Sequence, residues 1–248
     1  MTEKEAAEAL RSKGYGVVPP DQYLIDMEPE FKAVWESVRA YTMTSAERAY
    51  GLYKAVEYCV KAGIKGDFVE CGVWKGGSCM LMALALKEFN GASRKLWLYD
   101  TFSGMTEPTP EDVIAWNSRP VSEKWEEDRK GIKNNFGSWA VGLPEVQRNL
   151  ESTGYDPSLV EYVVGDVAVT LDEQAPEKIA LLRLDTDWYE STRKELESMY
   201  PRLASGGILI IDDYGHFKGA RKAVDEYFAG TPVYFSRLDY TGRILVKP

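Results

Sequence analysis

Five short apolar runs, each ending in an acid, set the limits on what this chain can become. They read GDFVECG, KLWLYD, VEYVVGD, KIALLRLD and GGILIIDD. Runs this short and this continuously apolar are strands covered on both faces. The stretches SCMLMALALKEFNG, LPEVQRNLESTG, DWYESTRKELESMYPRL and KGARKAVDEYFAG fall between or after them with helical patterning. Such alternation predicts an α/β fold, a doubly wound and mostly parallel sheet. TPVYFSRLDY and GRILVKP are expected to add two closing strands with a turn between.

Residues 1–65 read differently. EKEAAEALRSK is a short amphipathic helix, VPPDQY a loop, and EPEFKAVWESVRAY places Phe31, Val34, Trp35 and Val38 at helical spacing. A third helix covers TSAERAYGLYKAVEYCVKAG, with Thr44 and Glu47 as an expected capping box and Gly63 as its stop. The organisation is therefore a helical extension or cap over 1–65 and a Rossmann-like core over 66–248. Within the core, 103–142 is polar, rich in Pro, Gly and Trp, and is expected to be a lid. Its Trp116, Trp125 and Trp139 suit sugar rings or a flat aglycone, or else hold the lid to the body. The apolar CMLMALAL face and the N-terminal helices are surfaces that could pair subunits, so a homodimer or higher homo-oligomer is expected.

Charge and cysteine content exclude several classes. The net charge is −9, which disfavours nucleic acid and anionic membrane surfaces as partners. No apolar run approaches the ~18 residues of a spanning helix. The first residues lack the basic and apolar regions of a signal peptide. Cys59, Cys71 and Cys79 form no CxxC pair, so neither a disulfide framework nor structural zinc is expected. A reducing cytoplasm fits these features. His216 is the only histidine, which removes multi-histidine metal sites.

In an open sheet of this kind ligands bind outside the carboxyl ends of the strands. Those ends carry Glu70 and Gly72, Asp100, Gly165 and Asp166, Asp185, and Asp212 and Asp213. The first turn, Glu70-Cys71-Gly72-Val73-Trp74-Lys75-Gly76-Gly77-Ser78, is glycine-rich. A dinucleotide fingerprint needs a glycine where Trp74 stands, and a P-loop needs a lysine where Ser78 and Cys79 follow. S-adenosylmethionine needs neither. It needs a tight turn and an acid for its amino group or nearby water, which Gly72 and Glu70 supply. An ordinary βα turn, glycines kept for packing, is the plainer alternative. Asp100 can accept from both ribose hydroxyls or cap a loop. Asp166 would lie near the adenine or close a turn.

Asp185, Asp212 and Asp213 end neighbouring strands. Like charges that close raise one another's pKa, and a divalent cation relieves the conflict. An all-oxygen set suits Mg²⁺ (or Mn²⁺) rather than zinc. Asp187-Trp188-Tyr189-Glu190 reads as N-cap and N3 of the following helix rather than as metal ligands. His216 is a base, a substrate contact or a surface residue. Phosphoryl hydrolysis on such acids would want a phosphate clamp, and neither a P-loop lysine nor an arginine cluster is evident.

VECGVWKGGS, YDTFSGM, LLRLDTDWYEST and YPRLASGGILIIDDYGHFKGARKAVDEYF resemble the TylF/MycF family of macrocin-type O-methyltransferases, from about Tyr41 to Phe228. The resemblance implies a class I methyltransferase fold, S-adenosylmethionine, Mg²⁺ and methylation of a hydroxyl, often on a deoxysugar of a natural product. It places the metal on Asp185, Asp212 and Asp213. It places the cofactor on the segment from Glu70 through Gly72 and Val73 to Ser78, on Asp100 with Thr101, on Asp166, and on Thr42 and Met43 at the methionine end. Asp185 is the expected base as well as ligand, with His216 second. The expected partner is a small hydroxylated acceptor, glycosylated in the leading reading. A catechol-like acceptor and a non-catalytic S-adenosylmethionine-binding protein are the alternatives.

Overall fold

The computed structural model describes residues 2–17, 24–131 and 139–248. The expected loop VPPDQY (residues 18–23) and residues 132–138 of the expected lid lie outside the described residues. Three helices come first: α1 (Glu3–Ser12), α2 (Pro29–Val38) and α3 (Ala46–Lys61). Then follow β1 (Asp67–Cys71), α4 (Gly77–Glu88), β2 (Leu96–Asp100), α5 (Val121–Arg129), α6 (Leu143–Glu151) and β3 (Val160–Val164). The chain closes with α7 (Val167–Glu173), β4 (Ile179–Leu184), α8 (Tyr189–Met199), β5 (Leu203–Ile211), α9 (Lys218–Tyr227), β6 (Ser236–Arg237) and β7 (Arg243–Val246).

The sheet order is β3-β2-β1-β4-β5-β7-β6. β1 to β5 run parallel, and β7 and β6 are antiparallel additions. Strand side chains alternate between two cores. Phe68, Leu96, Leu98, Leu181 and Ile208 meet α2, α3, α4 and α6 on one face. Val69, Tyr99, Leu182, Leu209 and Ile211 meet α7, α8 and α9 on the other. All six residues of β4 are buried, the apolar ones and Arg183 alike, as a strand covered on both faces requires.

The chain reverses its winding between β1 and β4, and the loops after these two strands diverge there. Asp185 N–H donates to the Cys71 carbonyl at 2.8 Å, and Gly72 N–H donates to Tyr99 O at 2.8 Å. Gly72 has φ +84°, and a Cβ on it would overlap the carbonyl oxygen of Asp185. Only glycine lets the two strand ends close this far.

Local chemistry differs from the sequence reading in three places. Ser45, not Thr44, caps α3: its Oγ accepts from Arg48 N–H at 3.1 Å. Gly63 does stop the helix, with φ +66° and a bond from Ile64 N–H back to Cys59 O. The segment 103–142 contains the helix α5, which aperiodic polar sequence concealed because Val121 is its one buried residue. Ile114, Val121, Trp188, Phe217 and Ala220 form a small core that ties this segment to the body.

The third difference is at α8. Asp187 does not cap it. Asp112, fully buried and far off in sequence, accepts from Tyr189 N–H at 2.8 Å and so takes the helix's first amide. Glu190 turns outward to Arg193. Asp187 is left with φ +68°, a conformation that costs energy for an aspartate.

Candidate active site

A cleft of about 210 Å³ runs along the carboxyl rim of the sheet. Thr42, Met43, Glu70, Gly72, Val73, Ser78, Asp100, Asp185, Asp212, Asp213 and His216 all line it. Thr101 and Asp166 line a smaller adjoining hollow that shares Gly72, Asp100 and Asp185 with the main cleft. The structure thus gathers every candidate residue of the sequence reading at one rim. It also adds Arg48, Asp187, Met105, Trp139, Phe217 and Tyr240 to the wall.

At one end the geometry is set by backbone. Asp100 Oδ2 accepts from Val73 N–H at 2.7 Å and Trp74 N–H at 3.2 Å, while Oδ1 accepts from Phe102 N–H at 2.7 Å. The carboxylate therefore pins the glycine-rich turn to the end of β2. Trp74 sits at φ +49°. A Cβ on Gly77 would collide with the Tyr41 backbone, so glycine there lets the Thr42–Met43 segment lie against the start of α4. Met43 remains 54% exposed on the cleft. Asp166 accepts from Ala168 N–H at 2.9 Å and caps α7, which is the turn role rather than a free carboxylate aimed inward.

At the other end the geometry is set by charge. Ligand oxygens of Asp185, Asp212 and Asp213 lie within 4.8 Å of one another. Arg183, buried inside β4, reaches Glu70, Asp185 and Asp212 together, its Nη1 2.7 Å from Asp185. Arg48, from the first turn of α3, bonds Asp212 and also Asp239 at 3.0 Å. The sequence reading found no arginine cluster here, and the structure corrects it. Arg183 carried a legible signal: a charge inside a run buried on both faces must have partners. Arg48 carried none, because a helix-start arginine is ordinary.

Burial then sets the protonation. Glu70 is 1% exposed, and desolvation pushes its carboxyl up to about 7 against the pull of Arg183 and the Cys79 thiol. Asp213 is likewise pushed to about 7, by burial first and then by Asp185. Asp187 is half-buried at the cleft wall, close to Asp213 and Asp185. Burial, followed by the charges of Asp213 and Asp185, holds it well above the usual carboxylate range. Asp213 Oδ2 is buried with no hydrogen-bond partner among the described residues. His216 is half-buried with Nδ1 2.9 Å from the Tyr240 hydroxyl. Burial lowers its pKa to about 4, so the ring is neutral at physiological pH and a weak proton acceptor.

Known proteins are similar to this chain. A tetracenomycin rhamnosyl 4'-O-methyltransferase of Streptomyces olivaceus is 34% identical over 92% of this chain and 85% of its own. The mycinamicin III 3''-O-methyltransferase of Micromonospora griseorubida is 33% identical over 76% of this chain and 70% of its own. The solved structure of the O-methyltransferase NovP superposes with a TM-score of 0.71 at 29% identity, covering 84% of this chain and 82% of that one. The macrocin O-methyltransferase (TylF) family model matches residues 32–242. The chain belongs to that family and is an O-methyltransferase.

Proposed function

We propose that this enzyme transfers the methyl group of S-adenosylmethionine to a sugar hydroxyl of a glycosylated natural product, with a divalent cation at the acid cluster. The observation that carries the reading is the convergence of Asp185, Asp212 and Asp213 on the cleft that also holds Gly72 and Asp100. Relatives that methylate rhamnosyl and other glycosylated compounds support a deoxysugar acceptor.

The residues fit both groups. Three carboxylates with no sulfur or nitrogen donor suit Mg²⁺ or Mn²⁺, and the unpartnered Asp213 Oδ2 is an acceptor in want of a cation. Asp100 keeps one acceptor site for a ribose hydroxyl beyond its three backbone bonds, beside the Thr101 hydroxyl at 3.4 Å. Glu70 and Ser78 floor the methionine side, Thr42, Met43 and Val73 wall it, and Thr101 lines the adjoining hollow. Asp166 borders the adenine side, committed mainly to its helix cap. When bound, the sulfonium supplies an activated methyl and the cation makes a coordinated hydroxyl more acidic.

The chain's own work is alignment and proton removal. Met43, Phe217 and Trp139 give the transfer path an apolar wall. As the carbon–sulfur bond breaks and the carbon–oxygen bond forms, the hydroxyl proton goes to the acids. Asp185 is the acceptor open to the cleft, its side chain 30% exposed, and the depressed pKa of His216 makes it the weaker candidate. Asp187 stands outside the three-oxygen set, and burial with the charges of Asp213 and Asp185 favours its protonated form, so it holds a proton rather than taking one. Residues 1–65 act as the cap over the core. Pairing of two copies through the N-terminal helices belongs to the same reading, since α1 buries none of its residues within the chain; sedimentation would test it.

One observation favours a metal-free variant: Arg48 and Arg183 already neutralise Asp212. Chelation decides between them. With methyl α-L-rhamnoside as acceptor, EDTA is expected to abolish methylation and Mg²⁺ to restore it. Activity indifferent to chelation would leave the arginines as the only countercharge.

A further inference from the structure

The cleft carries an aromatic rim that methyl transfer to a small alcohol does not require. Residues 113–120 make a short excursion closed by the Val113–Pro120 bridge, and Ile114 bridges to Phe217. Ala115 N–H donates to His216 O, and Lys218 N–H donates to Val113 O, both at 2.8 Å. These backbone bonds staple the excursion to the loop after β5, three residues from Asp213. They hold Trp116 edge-on to His216, ring centroids 4.4 Å apart at 86°. On its other side the imidazole Nδ1 meets the Tyr240 hydroxyl.

The rim is exposed although its backbone is fixed. Trp116 is 63% and Tyr240 53% exposed. His216, Phe217 and Tyr240 line the same cleft as Asp185 and Asp213. Trp116 packs edge-on against His216 just outside it, so a group attached to a sugar held at the acids would meet this rim. Pinned aromatic faces bind a planar apolar group with little ordering cost.

We propose that Trp116 and Tyr240, with His216 clamped between them, form the subsite for a planar, aryl-type aglycone on the acceptor glycoside. The inference rests on the glycoside reading given above. It makes Trp116 a specificity-determining residue that touches neither the methyl donor nor the acids.

Two probes isolate the rim: methyl α-L-rhamnoside and 4-nitrophenyl α-L-rhamnoside carry the same hydroxyls and differ in the aglycone. Each is titrated by calorimetry into protein loaded with S-adenosylhomocysteine and Mg²⁺, then assayed for methylation. Trp116→Ala is expected to weaken the aryl glycoside by about tenfold in Kd and KM, an aromatic contact's worth, with kcat within about twofold. The methyl glycoside should be unaffected, and Trp116→Phe should recover most of the loss. Unchanged thermal midpoints would confirm that the variants fold. Equal effects on both probes, no effect on either, or no binding of the aryl glycoside to the unsubstituted protein would overturn the proposal. Aryl-selective binding lost in Trp116→Ala, without methylation of either sugar, would support the rim and instead overturn the sugar hydroxyl as acceptor.

Discussion

Glu28 and Glu70 each set a carboxylate oxygen against a basic side chain, and their pKa values move in opposite directions. Glu28, at the start of α2, meets Lys54 at 2.9 Å with both side chains about two-fifths exposed (41% and 40%). Its pKa falls to about 2, chiefly through the hydrogen bond from Lys54. Glu70, at the floor of the cleft, meets Arg183 with side chains 1% and 3% exposed, and its pKa rises to about 7 because burial outweighs the arginine. Pairing with a cation does not decide the outcome; the water left around the pair does. The cleft floor is therefore a region where charge is held at a cost, and the N-terminal surface is one where it is not.

The sharpest way to break that contrast is Arg183→Met. The substitution leaves Glu70, Asp185 and Asp212 without their shared cation in a dry setting. Removing one partner of a buried ion pair costs about 3–5 kcal/mol. Chemical denaturation should show a loss of that order, whereas Lys54→Met should cost far less because water replaces the lost partner. Similar losses at the two sites would refute the role assigned to burial.

Next in size is Asp185→Asn, which removes the proton acceptor while keeping the shape. Proton transfer by a placed side chain is typically worth ~10²–10⁴ in rate. A fall in kcat of that order is expected, with S-adenosylhomocysteine affinity unchanged by calorimetry. A change within about threefold would remove Asp185 from the base role.

Asp100→Ala tests the other end of the cleft, where charge is satisfied by backbone amides rather than buried arginines. Hydrogen bonds to a charged group contribute about 1.5–3 kcal/mol, so S-adenosylhomocysteine should bind roughly 10–150-fold more weakly. Unchanged affinity would remove Asp100 from the cofactor end.

These regions were not equally legible in the sequence. The strands and their order along the chain followed from apolar runs and helical spacing, and so did the convergence of Asp185, Asp212 and Asp213, because strand ends in a wound sheet share one rim. What escaped was pairing between residues remote in sequence. Arg48 and Asp212 are 164 positions apart, and no local pattern couples them. Asp187 shows the same limit from another side. Its D-x-x-E spacing fits an N-cap, but Asp112 does that work from a polar segment without periodicity. The local rule named a competent residue, and tertiary structure assigned the job elsewhere.

The smallest effect concerns the exposed pair and gives the contrast its sign in pH. Glu28 is held at about 2, below its ordinary value of 4.5. The stability it contributes is fully present above about 4.5 and is lost as pH falls toward about 2. Glu70 runs the other way: its contribution is fully present below about 4.5 and is lost as pH rises through about 7. Denaturation midpoints across pH should therefore show Glu28→Gln flattening the acid limb alone, and Glu70→Gln flattening the limb between about 4.5 and 7 alone. The Glu28 effect should also shrink in high salt, since an exposed pair is screened and a buried one is not. If both variants altered the same limb, the two glutamates would share one environment and the contrast between surface and cleft floor would fail.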